Sequence, residues 1–229
     1  MKQKTTFLFS LTLLIGTTFA QIDIPQSSRI RIDGNLNDWR HAKWTPLNTV
    51  IDGAPTNISN AIWSLAWDED AIVYLAVQFD DADIVLKDQT NIADCVEIYA
   101  RGDTGSQPED YFSTQSSAQC YTFGMAKNRI DQKIKLGNLT KLPIHVPVKG
   151  SVKLEGNHFI YEIMVPLFDT FNPATRRKSS ESEVYVGDDI GIDIAIIDVG
   201  KNGYAGMLGE NDQDKRISAS HIAEHTLDD

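Results

Sequence analysis

Cysteine is scarce: 229 residues hold two, Cys95 and Cys120, too few for a disulfide scaffold. Both fall in successive apolar segments that could pair as neighbouring strands. One Cys95–Cys120 disulfide and two buried thiols therefore both stand open, since geometry decides between them. Tryptophan is absent after Trp67, and no apolar stretch beyond residue 20 approaches the ~20 residues a membrane-spanning helix needs. No amphipathic pattern of three helical turns stands out, so long helices are not expected. HExxH, CxxC, a Gly-rich phosphate loop and GxSxG are all missing, which removes the commonest metalloprotease, redox, nucleotide and hydrolase signatures. Basic residues are also in the minority, and no basic stripe offsets the acidic ones.

What is present begins with Met1–Ala20. Lys2 and Lys4 precede an apolar stretch from Phe7 to Gly16, and Thr18-Phe19-Ala20 forms a small-x-small cleavage site. The pattern predicts a secretory signal over residues 1–20, a mature chain of residues 21–229 and a secreted or periplasmic location. Losing Lys2 and Lys4 from the 21 basic residues leaves 19 against 32 acidic ones, a net charge of −13. Such a surface repels phosphate backbones, so nucleic acid and anionic membranes are poor partners, while neutral sugars, divalent cations and basic partners stay open.

The dominant periodicity is two. Trp63, Leu65 and Trp67 alternate, Asp68-Glu69-Asp70 turns the chain, and Val73, Leu75, Val77 and Phe79 alternate again. Cys95, Glu97 and Tyr99 share one side of a strand. Phe159, Tyr161, Ile163 and Val165 make another face, and Ile190, Ile192, Ile194 and Ile196 a third. Turn clusters separate them, among them Asp33-Gly34-Asn35, Glu155-Gly156-Asn157 and Gly200–Gly203. Residues 166–172 could hold a short helical turn, and 176–183 read as a polar loop. Many short strands with regular turns mean an all-β fold: one antiparallel β-sandwich domain over residues 21–229, of immunoglobulin or jelly-roll type.

Two kinds of side chain carry candidate chemistry. Sugar sites use aromatic faces for the C–H side of a ring and carboxylates for its hydroxyls. The tryptophans of the apolar faces are expected in the core, whereas Tyr111 in an acidic loop and Tyr204 near Asn202 are expected at the surface. Acidic clusters at strand ends, Asp80-Asp81 with Asp83 and Asp188-Asp189, offer the hard oxygen donors that calcium takes. Asn57-Ile58-Ser59 and Asn138-Leu139-Thr140 are glycosylation sequons.

Five segments in order, Ile32–Trp39, Leu65–Asp70 with Asp80-Asp81, Asp94–Tyr99, His158–Pro166 and Ile190–Asp198, resemble the family 9 carbohydrate-binding modules and their DOMON-like sandwich superfamily. The resemblance covers nearly the whole mature chain. It implies a non-catalytic polysaccharide- or oligosaccharide-binding domain associated with xylan- or cellulose-degrading enzymes, with structural calcium. Members clamp a terminal sugar between two tryptophans; the first position falls here at Asn91, and the second has no tryptophan to fill it. A basic residue of the family falls at Tyr121, and the family's carboxylate for sugar hydroxyls is retained as Glu97. Two alternatives accompany this reading. Some DOMON-like sandwiches hold haem, for which Met125, Met164, Met207 and the histidines are the available axial ligands. A glycoside hydrolase would need a pair of carboxylates across a cleft.

Overall fold

Hairpins between alternating strands build the molecule, a computed structural model that describes residues 21–27, 29–86, 93–102, 111, 116–126, 129–135, 147–172 and 178–229. The predicted signal segment, residues 1–20, lies outside the described residues, as does Asn91. One sheet has five strands in the order β2 (Thr45–Pro46), β4 (Ile58–Asp68), β5 (Ile72–Asp81), β10 (His158–Pro166), β9 (Lys149–Glu155). The other has eight. Its main path runs β1 (Asp23–Pro25), β15 (Glu224–Asp228), β13 (Asp189–Gly200), β6 (Cys95–Arg101), β7 (Ala118–Ala126), β8 (Arg129–Lys135). Residues 195–200 of β13 also pair with β14 (Gly203–Gly209), which carries β3 (Thr49–Gly53) on its far side. Pairing is antiparallel except between β1 and β15. No helix of the described residues is long and apolar enough to cross a membrane.

The predicted alternation decides which side chains meet between the sheets. Trp63, Val77, Phe159, Tyr161, Ile192 and Ile194 are fully buried in one cluster. Tyr121, on the inward side of β7, joins them and is corrected from a sugar-facing to a core position. Residues 166–172 form not a helical turn but β11 (Phe168–Thr170), paired with β12 (Ser180–Glu181).

Both sheets are covered on their outer faces too, which alternation does not reveal. Over the five-stranded sheet lie Ile30, Ile32, Leu36, Trp39 and Trp44, packed on Ala66, Tyr74 and Ala76. The anchor of this layer is Glu162 on β10. Its carboxylate accepts from the backbone N–H groups of Asp33, Gly34 and Asn35 and from Trp39 Nε1 (3.0 Å). Gly34 has φ +81°, a conformation in which a side chain is strained and which turns the three N–H groups toward one point. The Ile32–Trp39 motif is therefore a carboxylate-binding turn that staples the N-terminal segment to the sheet.

Of the two open readings of Cys95 and Cys120, the disulfide is not formed. In the β6–β7 ladder Cys95 lies opposite Gly124 and Cys120 opposite Tyr99, an offset of four residues. At ~3.3 Å per residue that separates them by about 13 Å, beyond disulfide reach.

Candidate functional site

β6 sends Cys95, Glu97 and Tyr99 to the outer face of the eight-stranded sheet, opposite Thr122 and Cys120 of β7 and Ala195 and Asp193 of β13. Tyr99, Tyr111, Cys120, Ala195, Ile197, Val199 and Met207 form an apolar floor there. Glu97 stands on it half-buried, and Tyr99 donates its hydroxyl to Glu97 Oε2 (2.5 Å). Burial and the neighbouring Cys120 and Glu97 hold the Tyr99 phenol well above its ordinary value, so it donates throughout the physiological range. Glu97 Oε1 accepts nothing from the described residues.

On β14, next along this face, Tyr204 is exposed and donates to Asp52 Oδ2 of β3 (2.8 Å). Arg216 lies over its ring, 5.7 Å from guanidinium carbon to centroid, within cation–π range. Nε and Nη2 of Arg216 each donate to Asp214 at 3.1 Å, and Nη2 also reaches Asp52 at 3.4 Å. The Tyr204 phenol is pushed up to about 12 by burial and Asp52. Asp52 is held below the usual carboxylate range, first by the Tyr204 hydroxyl.

Residues 210–223, which carry Arg216, are fastened to the sheet by a buried ion pair. Lys215 and Asp193 are both fully buried, with Nζ 3.2 Å from Oδ2. Asp193 also accepts from Asn211 Nδ2 (2.9 Å) and from the backbone N–H of Ala223 (3.1 Å) and Ile194 (2.7 Å). Burial pushes the Asp193 carboxyl up; Lys215 and the Ile194 and Ala223 N–H groups pull it back.

A second cluster lies at the opposite end of β13 from Asp189. Asp81, Asp94 and Asp198 are buried to 1, 2 and 0 % exposure. Asp94 accepts from the backbone N–H groups of Val85 and Val199, and Asp198 from the backbone and side-chain amides of Asn57 (both 3.3 Å). Asp81 Oδ1 accepts from Asp83 N–H (2.8 Å), and among the described residues the buried Oδ2 has no N–H donor, so the donor left to Asp81 is the Asp94 carboxyl, with which it is hydrogen-bonded when Asp94 holds its proton. Burial, reinforced by Asp81, pushes the Asp94 carboxyl up to about 8.

The sequence candidates divide accordingly. Glu97 and Tyr204 do lie on one outer face. Tyr111 does not sit at the surface: it is 1 % exposed and packs on Tyr99 at 6.0 Å as part of the floor. Of the first acidic group, only Asp81 enters the buried cluster. Asp80, on the other side of β5, accepts from Asn60 Nδ2 and pairs with His158 (both 2.7 Å), and Asp83 pairs with Lys201 (3.1 Å). Asp188 accepts from Tyr185 N–H (2.8 Å), and Asp189 from Gln21 (2.8 Å) and Thr226 (2.7 Å) side chains. Asn57 of the first sequon is engaged with Asp198, and Asn138 lies outside the described residues. His158, His221 and His225 each hydrogen-bond to protein groups, and Met207 is buried in the floor. Asp94, Asp198, Arg216 and Lys215 were not singled out by sequence; an Asp directly before a strand or at its end gives little signal, and a lone Lys in a polar loop gives none.

Two solved structures from Caldicellulosiruptor kristjanssonii share this fold. A family 9 carbohydrate-binding module in complex with cellotriose superposes with TM-score 0.68 at 16% identity, covering 91% of this chain and 94% of that one. Another, in complex with glucose, gives 0.63 at 15% identity, covering 91% and 95%. At this identity the likeness is one of fold alone. No curated protein matches the chain. The model of the carbohydrate family 9 binding domain-like family matches residues 32–217, most of the sequence, and the chain belongs to that family.

Proposed function

We propose that this is an exported, non-catalytic carbohydrate-binding protein that holds the end of a polysaccharide or oligosaccharide on the outer face of the eight-stranded sheet. The observation that carries the reading is Glu97: a half-exposed carboxylate on an apolar floor, positioned by Tyr99, with Oε1 left to accept from hydroxyls. Family membership and the sugar-bound neighbours support the ligand class. The Met1–Ala20 pattern supports a secreted or periplasmic location. With such a signal and family, xylan- or cellulose-type breakdown alongside carbohydrate-active enzymes is the setting that fits. Without a tryptophan clamp among the described residues, polar contacts carry more of the affinity, and a Kd of about 0.1–1 mM for cellotriose is expected. Glu97→Gln removes a charge-assisted contact worth about 1.5–3 kcal/mol and weakens binding roughly ten-fold or more by titration calorimetry. Tyr99 can still donate to the amide oxygen, so the melting temperature stays near that of the wild type. Normal binding by this variant would place the sugar elsewhere.

Structural calcium is the second part of the proposal. Asp81, Asp94 and Asp198 are hard donors without a buried cation among the described residues, and the Asp81 and Asp94 carboxyls lie against each other, a pairing that needs a shared proton or a bridging cation. That donor chemistry fits calcium, whose 6–8 oxygens can include main-chain carbonyls and water. No three His, Cys, Asp or Glu side chains of the described residues are already gathered as a metal site. The ion would supply charge neutralisation, and these side chains would hold it between the loops. Chelation should then lower the melting temperature.

A further inference from the structure

We propose that Arg216 is a ligand-contacting residue of the sugar site, donating from Nη1 to the hydroxyl oxygens of a neutral sugar whose hydroxyl protons Glu97 accepts. The inference rests on the carbohydrate-binding reading and adds a donor to it. A carboxylate only accepts, while a sugar hydroxyl both donates and accepts, so a site built on Glu97 alone leaves sugar oxygens without donors when water is expelled. The family's basic residue falls at Tyr121, which is buried between the sheets and faces away. Arg216 returns a basic group to the same outer face from a different element. Tyr99 links the two sides: its hydroxyl is on Glu97, and it lies opposite Asp193, which holds Lys215, the residue next to Arg216.

The guanidinium is held in advance. Asp214 and Asp52 take Nε and Nη2, the Tyr204 ring lies beneath, and the neighbouring Lys215 is buried against Asp193. Nη1 is left with two N–H groups and no partner among the described residues, on a side chain 28% exposed. A donor fixed in this way gives up little conformational freedom when ligand arrives. Two aspartates against one arginine, with Glu97 on the same face, leave the site net negative, which selects a neutral sugar over an anionic one. The arrangement also takes one face of Tyr204, so that face is not open to stack on a sugar.

Titration calorimetry with cellotriose tests this on wild type, Arg216→Met, Arg216→Lys and Glu97→Gln. Arg216→Met should weaken binding about ten-fold with a melting temperature close to wild type, and Arg216→Lys should fail to restore it, since lysine lacks the planar fork. Glucuronate should bind more weakly than glucose. In the wild type, cellotriose should shift the Arg216 Nε–H resonance, a readout that stands even if a variant does not fold. Wild-type binding that Glu97→Gln weakens and Arg216→Met leaves intact overturns the inference alone, as does an unmoved Arg216 resonance or tighter binding of glucuronate. No binding of cellotriose or glucose by the wild type overturns the carbohydrate reading and this inference with it.

Discussion

Glu162 collects four N–H donors on one buried carboxylate and fixes where the N-terminal segment lies. Glutamine keeps one acceptor oxygen but turns an NH2 group toward donors that then have nothing to give to. Replacing it should cost about 3 kcal/mol, from lost charged hydrogen bonds and donors left unsatisfied. For a chain of this size that lowers the melting temperature by roughly 6–12 °C. Calorimetry checks the size, and cellotriose affinity checks the place: Glu162 lies on the opposite sheet, so Glu162→Gln should bind as wild type while folded. In sequence Glu162 is the polar member of an apolar alternation and reads as a solvent-facing residue. It is fully buried because a separate segment of chain, more than a hundred residues away, closes over it. Single-residue roles of this kind depend on what covers an outer face, and periodicity carries no information about that.

At the level of elements the strands were legible and their coverings were not. β4, β5, β10 and β13 follow from alternation because a two-residue period is what a sheet face imposes. The β4–β5 turn follows from its acidic tripeptide. The sequence near residue 168 reads as a turn because the partner strand, β12, comes from a stretch whose polarity suggests a loop. The covering segment 210–223 shows the same limit, since its only apolar anchors are Ala219 and Ile222 and its strongest tie is an ion pair. A buried pair of this sort adds little net stability over apolar replacements, yet removing one partner strands the other. Lys215→Met should therefore destabilise the fold by about 3–5 kcal/mol, and Asp193→Asn with Lys215→Met should recover most of that loss. Denaturant unfolding of the single and double variants measures the coupling. The recovered double variant should still bind cellotriose more weakly than wild type, because Arg216 is no longer fastened from below. Recovery of both stability and affinity would mean that the pair does not position the loop.

Across the whole molecule, the buried acidic cluster is where the two sheets are joined at one end. Asp81 ends a strand of the five-stranded sheet, Asp94 precedes β6 and Asp198 lies near the end of β13 in the eight-stranded one, and Asn57 comes from the connection between them. Sequence pointed to Asp81 through its acidic neighbours but not to Asp94 and Asp198, which arrive from 13 and 117 residues further on and converge only in the fold. With no buried cation among the described residues, ionising all three carboxyls is unfavourable, and a divalent ion binding only the folded state raises stability by about 2.7 kcal/mol at a hundred times its Kd. Removing calcium with EGTA should lower the melting temperature by roughly 5–11 °C. Calcium should restore it better than magnesium, which holds its water and demands a stricter geometry. Asp81→Asn separates this from a general effect of salt. It removes one of the repelling charges, so the metal-free variant should melt no lower than metal-free wild type while losing its response to calcium. An unchanged melt of verified metal-free wild type, or an Asp81→Asn variant that responds to calcium as before, would rule the cluster out as the binding site. Either result would leave the repulsion to be relieved by a proton, which the raised Asp94 carboxyl is placed to hold.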